Sequence, residues 1–562
     1  MKKSPQKNLL SLFIPLLALL TAPPGGVLFA QDGTAASGSS AAAEPEMPKV
    51  SLPDLAEEVK ALENQGVAAP LPPLPPLPIP DRQAPLPEET ALVIPESAYR
   101  TEATLDTRPR PDLGETFSEA SVGAALWAGV SANLSIYRPG TDPSLGISFA
   151  HESRDGLTFQ DPGEGFSYRR TSLRGRLRSR GESENSWSLT ASFSDEANGL
   201  QGRSSDFFGL AHRFFDAEGK YGRPLGPLSL NVGLRGSSAS LSMERGRTLN
   251  LGDTGVQEIA LNPSMALSFE NGPLSLSLGG DYSFLGLLGD PSSVPGPGRS
   301  AQLGGVEAQA ALELSPAFLV GASFGGAFSS AYLYTLPFSL WTSFALGEYA
   351  MVNAQGGLAT DQVSLASQWR INPYLDIGAL LPEDSRWFGA LESDLYPLPD
   401  WTVRLGALWA MSYQGGRIKP LAPPTGSSRM LYSYTSETYK SLESRFSLRK
   451  RFGQGLIGLG WNADWLDLPT AEKPHRFFAE VEYRELQERY GGSLMIAAAS
   501  DGVGLDTPKI DAQAFLRFGS GLRLIAEFFD IAMAFKGTEG RVRYRPYATD
   551  GFQASLGMQF SF

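Results

Sequence analysis

From Arg170 to Arg180 the even positions read Arg170, Ser172, Arg174, Arg176, Arg178 and Arg180, while the odd positions from 173 on are Leu173, Gly175, Leu177 and Ser179. A period of two puts the arginines on one face of a strand. Two residues of rise separate neighbouring guanidiniums by about 7 Å. Such a row, facing water inside a closed wall, is a path for anions. Arg235, Arg404, Arg445, Arg449, Arg517 and Arg523 also fall on the polar faces of alternating segments. So do Glu443, Glu480, Glu482, Asp464 and Glu527. The same arginines therefore also read as partners in ordinary ion-pair scaffolding, or as residues of a strand extended into water. Both readings stand at this level. The candidate pore-lining set is Arg170, Arg174, Arg176, Arg178, Arg235 and Arg404.

Other chemistry is thin. Gly321-Ala322-Ser323-Phe324-Gly325 matches the nucleophile-elbow spacing, but that motif needs a strand–turn–helix. Here it sits inside an alternating, glycine-rich stretch, Leu319 to Ser329. The three histidines, His151, His212 and His475, have no metal-ligand spacing to one another. There is no cysteine, which rules out disulfides, thiolate metal sites and a lipid-anchored amino terminus. We expect no enzyme, no metal and no cofactor.

The elements that would position the arginine row are alternating segments from residue 119 onward. Trp401, Val403, Leu405, Ala407, Trp409, Met411 and Tyr413 form one apolar face, opposite Thr402, Arg404, Gly406, Ala410 and Ser412. Leu274, Leu276 and Leu278 alternate with Ser275, Ser277 and Gly279. Leu228 to Arg235, Ile457 to Trp465 and Phe477 to Arg484 follow the same pattern. These runs are about 9–15 residues long, beyond the 5–6 usual in globular sheets. Aromatic residues at their ends, as at Trp401 and Tyr413, suit a lipid interface. We expect about 22 segments, within roughly 18–24. Two turn-rich loops stand out, Gln414 to Tyr434 and Gly289 to Ser300. The first is expected to be external or folded inward, and either it or the amino-terminal tail is a candidate to fill a wide lumen.

The amino-terminal part has a different texture. Lys2, Lys3 and Lys7 precede an apolar run, Leu9 to Leu20, and Leu28-Phe29-Ala30 offers a cleavage site, so residues 1–30 read as a signal peptide. Residues 31–118 read as a Pro/Ala-rich disordered periplasmic extension, with polyproline II from Pro70 to Pro80 spanning roughly 30 Å. A short helix over 52–64 would align Leu52, Leu55, Val59 and Leu62. The net charge is −13 and no basic face stands out, so nucleic acid is not an expected partner. Charged residues are 19% of the chain and there is one apolar run, which excludes a helical membrane protein.

The chain ends on Leu556, Met558, Phe560 and Phe562 alternating with Gly557, Gln559 and Ser561. With the alternation and the girdle aromatics, this ending resembles bacterial outer-membrane β-barrels of the porin or transporter type. In those proteins such an ending serves as the signal for the barrel-insertion machinery. Phe529-Asp530, Arg545-Pro546-Tyr547-Ala548 and Gly551-Phe552 before the last strand further resemble the closing hairpin of TonB-dependent receptors. The departure is the amino terminus, where a proline-rich tail stands in place of a folded plug domain.

The expected fold is all-β, a large antiparallel transmembrane β-barrel over 119–562 in the outer membrane of a Gram-negative-type envelope. The expected function is porin-like passage of small hydrophilic solutes, anions included. Two alternatives are a structural or surface-interaction barrel tethered through the amino-terminal spacer, and a plugless relative of TonB-dependent receptors. Expected partners are outer-membrane lipid, the insertion machinery and small solutes, with a homo-oligomer or a periplasmic protein on the proline-rich segment as further options.

Overall fold

The computed structural model describes residues 116–561, apart from short connecting stretches, the longest being 245–252 and 289–299, and a few single positions. The expected signal peptide, proline-rich extension and helix 52–64, most of the Gly289 to Ser300 loop, and Phe562 lie outside the described residues.

Every neighbouring strand pair is antiparallel, and the first strand, Phe117–Ala125, pairs with the last, Gln553–Ser561. In that seam Val122 faces Met558 and Ala124 faces Leu556. The result is a closed barrel of 22 staves. One stave is broken. Leu333–Thr335 and Phe338–Leu346 both pair with Phe318–Ser329, with Pro337 between them. Proline has no N–H to give the ladder, so the interruption falls there. Closure leaves no edge strand, so every wall N–H and C=O has a neighbour strand available.

Apart from the broken stave, the wall strands run from 8 residues, Leu522–Phe529, to 19, Asp253–Asn271. The two ends of the barrel differ. At one end the turns are tight. Leu225 and Leu228 flank Gly226-Pro227, and Asn271 and Leu274 flank Gly272-Pro273. Gly226 and Gly272 take φ of 67° and 57°, the conformation the first position of such a hairpin requires. At the other end lie the long connections, residues 362–383, 415–439 and 530–552 among them.

Alternation decides which side chains point out. Leu134, Ile147, Leu173, Leu278, Val306, Leu340, Leu405, Ile457, Val481, Leu556 and Met558 are all exposed on the outer surface. Leu278 is 55% exposed and Leu340 61%. A water-soluble fold rarely leaves so broad an apolar band uncovered, whereas lipid covers it. The even-numbered face of the final strand is thus the lipid face. The inner face carries the arginines, serines and glycines. The described buried apolar cluster is at the long-loop end and is built from loop and wall residues together.

Candidate solute path and its cap

The cap begins with helix α1, Leu365–Ile371, in the 362–383 connection. Ser364 caps it, its hydroxyl accepting from the Ser367 N–H at 3.2 Å. A second cap comes from the barrel wall. The Glu258 carboxylate accepts the N–H of Leu365 at 2.8 Å and approaches that of Ala366 at 3.5 Å. Leu365 and Trp369, four residues apart and so on one helix face, are fully buried. Trp369 packs its ring 5.3 Å from that of His212, a buried residue of strand Gly209–Leu225. Its indole N–H donates to the Leu375 carbonyl at 3.2 Å.

Two more loops join it. The 415–439 connection forms the hairpin Arg417–Leu421 with Ser433–Glu437. At the end of the segment joining its two strands, the Tyr432 N–H donates to the Tyr374 carbonyl and the Asp376 N–H to the Tyr432 carbonyl, both at 2.8 Å. The 530–552 connection carries helix α2, Met533–Lys536, and the hairpin Arg541–Tyr544 with Tyr547–Asp550. Tyr547 is fully buried, stacks on Tyr374 at 3.9 Å and 9°, and donates its hydroxyl to the Met430 carbonyl. Burial raises the Tyr547 hydroxyl pKa and keeps it a donor. The next residue pairs with a fourth loop, because the Gln201 amide both donates to Ala548 O and accepts from Ala548 N. At its base Asp530, 1% exposed, is held by Arg541, which also donates to the carbonyls of Thr507 and Pro508.

These loops leave the ring at four separate points and meet one another. The long-loop end is therefore spanned by the chain's own loops. The loop expected over Gln414 to Tyr434 is part of this cap, through Met430, Leu431 and Tyr432. The 362–383 loop was not singled out by sequence reasoning, and the 530–552 loop entered it through Asp530, Tyr547 and Ala548 as part of a closing hairpin, not of a cap. The available signal was Ser364 before Leu365 and Trp369, a cap ahead of a one-faced helix.

Below the cap lies the arginine row. Cross-strand partners share a face, so the register defines its surroundings. Arg174 sits between Ser148 and Ser192, Arg176 between Gly146 and Thr190, and Arg178 between Ser144 and Ser188. All three are exposed on the lumen side. Among the described residues none of the three pairs with a carboxylate. The other candidates behave differently. Arg170 pairs with Glu196 at 3.3 Å, Arg235 with Asp216 at 2.7 Å and Arg404 with Asp394 at 2.7 Å. Arg445 and Arg449 pair with Glu443 and Glu480. Arg523 lies over the Phe515 ring at 3.5 Å. Register thus divides the candidates: Arg170, Arg235 and Arg404 each pair with a carboxylate, and among the described residues Arg174, Arg176 and Arg178 do not.

The histidines are far apart in role. The His151 ring nitrogen meets the Thr171 hydroxyl at 2.9 Å, His212 is under the cap, and His475 packs against Trp461 and Trp465. Ser323 is mid-strand and bonds the Ser339 hydroxyl at 2.8 Å. No group of metal-ligating side chains occurs among the described residues.

No family model and no curated protein matches the sequence. Solved structures match the fold. A point mutant of the ferric enterobactin receptor PfeA of Pseudomonas aeruginosa aligns at 12% identity over 80% of each chain, with a TM-score of 0.58. The siderophore receptor PirA of Acinetobacter baumannii aligns at 9% identity over 80% of this chain and 81% of that one, with a TM-score of 0.59. The FrpB iron transporter of Neisseria meningitidis (F5-1 variant) aligns at 10% identity over 80% and 82%, with a TM-score of 0.61. At such identities the likeness is one of fold.

Barrel closure, the outward apolar band and this likeness define the class: a bacterial outer-membrane β-barrel of 22 strands. More particularly, it has the barrel architecture of siderophore and iron receptors, with a mouth spanned by its own loops. In such barrels the tight turns face the periplasm and the long loops face outward. The cap is then external, and the row from Arg174 to Arg178 descends toward the periplasmic end.

Proposed function

We propose that this barrel passes small hydrophilic solutes across the outer membrane, that it favours anions, and that the loop cap gates the passage. The observation that carries the reading is the Arg174, Arg176, Arg178 row. Three arginines rooted about 7 Å apart along one strand face the lumen and, among the described residues, have no carboxylate partner; their flanking positions hold serine, threonine and glycine. Small neighbours leave the charges open to solute. A lumen-facing charge is not needed to hold the wall together, since the ladder does that. The cap favours a gated transporter over a permanently open pore. A structural or tethering role accounts for the barrel but leaves the unpaired row without a use.

Planar-bilayer recording tests this, on the full chain and on a variant with residues 365–377 replaced by a short Gly/Ser linker. The capped protein should conduct rarely and the shortened one steadily, with reversal potentials favouring anions. A shortened barrel that folds and inserts but never conducts contradicts the proposal.

A further inference from the structure

The row has an upward continuation on the cap itself. Arg370 is in the last turn of α1. Its helix neighbours Leu365 and Trp369 are buried, while Arg370 is exposed. Its guanidinium carbon lies 4.8 Å from the centroid of the Phe214 ring. Phe214 belongs to the lumen face of strand Gly209–Leu225, one pleat step further from the mouth than His212. The next lumen-facing residue down is Asp216, already held by Arg235. Across the wall, Phe214 is level with Ser194 and Ser172, and Arg174 is the next inward residue below Ser172. The Phe214 ring on which Arg370 rests is thus two strands aside from Arg174, about 10 Å across the wall, and one step above it. Among the described residues Arg370 pairs with no carboxylate.

The geometry points to Arg370 as the first anion-binding station of the path, a specificity-determining residue carried by the gate itself. This rests on reading the Arg174–Arg178 row as an anion path. The favoured ligand chemistry is a small carboxylate or phosphate. A guanidinium resting on a ring is held by its π face, which leaves N–H donors at its edge for two acceptor oxygens. When the cap swings, Arg370 moves with it, and an anion held there is delivered toward Arg174 rather than released at random in the lumen.

The test is the anion-to-cation permeability ratio of the full chain in a salt gradient, with Arg370→Gln and Arg370→Lys beside the triple replacement of Arg174, Arg176 and Arg178 by alanine. Arg370→Gln should lower the ratio about two- to threefold, the effect of one unit charge about 7 Å away in water. Arg370→Lys should keep most of it. If Arg370→Gln leaves the ratio unchanged while the triple variant lowers it, the station is refuted and the path below it stands. If Arg370→Gln changes only how often the channel opens, Arg370 is a fastener of the cap and the inference also fails. If neither variant moves the ratio, the underlying reading falls with it.

Discussion

The Glu258 carboxylate, rooted in the barrel wall, accepts the backbone N–H of Leu365, the first residue of a helix that belongs to a loop. One wall side chain thereby fixes where the cap begins. A buried carboxyl group in that position is tolerated because helix N–H groups, with their partial positive charge, face it and donate to it. Remove the carboxylate and those donors are left buried without an acceptor.

Glu258→Ala should therefore loosen the cap by about 1–3 kcal/mol, the cost of leaving such groups unsatisfied. The barrel should be untouched, since its ladder does not involve that side chain. The expected readout is faster protease cleavage within 362–383 and more frequent channel openings, with unchanged heat-modified gel mobility.

Trp369→Ala acts on the same element through packing. A fully buried indole against His212 and the wall should cost about 3–5 kcal/mol of cap stability when removed. Hydrogen exchange would show protection lost across 365–377 and retained in the strands.

Tyr547 separates stacking from hydrogen bonding. Tyr547→Phe keeps the ring on Tyr374 and loses only the donation to Met430, for about 1 kcal/mol. Tyr547→Ala loses both and should detach the 530–552 loop from the other two. Comparable conductance traces from the two variants would mean that the stack holds nothing together.

The face assignment makes a prediction on the outside. Leu278 points to lipid and Ser277 to the lumen, where its hydroxyl donates to Gln309. Leu278→Arg should cost about 2–4 kcal/mol of folding free energy in vesicles, and Ser277→Arg much less. Equal costs would mean that the two faces of this strand are not divided between lipid and lumen.

How much of this the sequence disclosed follows from the range of the interactions. The period-two faces of Trp401–Tyr413 and of the final strand are local, set by neighbours two residues apart, so they were legible and the all-β barrel followed. The first strand starts at Phe117, two residues before the boundary expected at 119. The cap was mostly illegible. Its contacts join Gln201 to Ala548 and Tyr547 to Met430, pairs separated by 347 and 117 residues, and no local pattern announces them. The arginines were half legible. Alternation placed them on the inner face, but whether each one is neutralised depends on register. Arg170 faces Glu196, while Arg174, four residues on, faces two serines.

That the unpaired row sets the selectivity of the passage is tested most directly by the reversal potential of single channels in an asymmetric salt gradient. The unaltered chain should give an anion-favouring potential. Replacing Arg174, Arg176 and Arg178 together by alanine should move it toward zero or to the cation side, while replacing the paired Arg404 by alanine should move it far less. A triple variant that folds, inserts and keeps the original reversal potential would contradict the proposed role of the row.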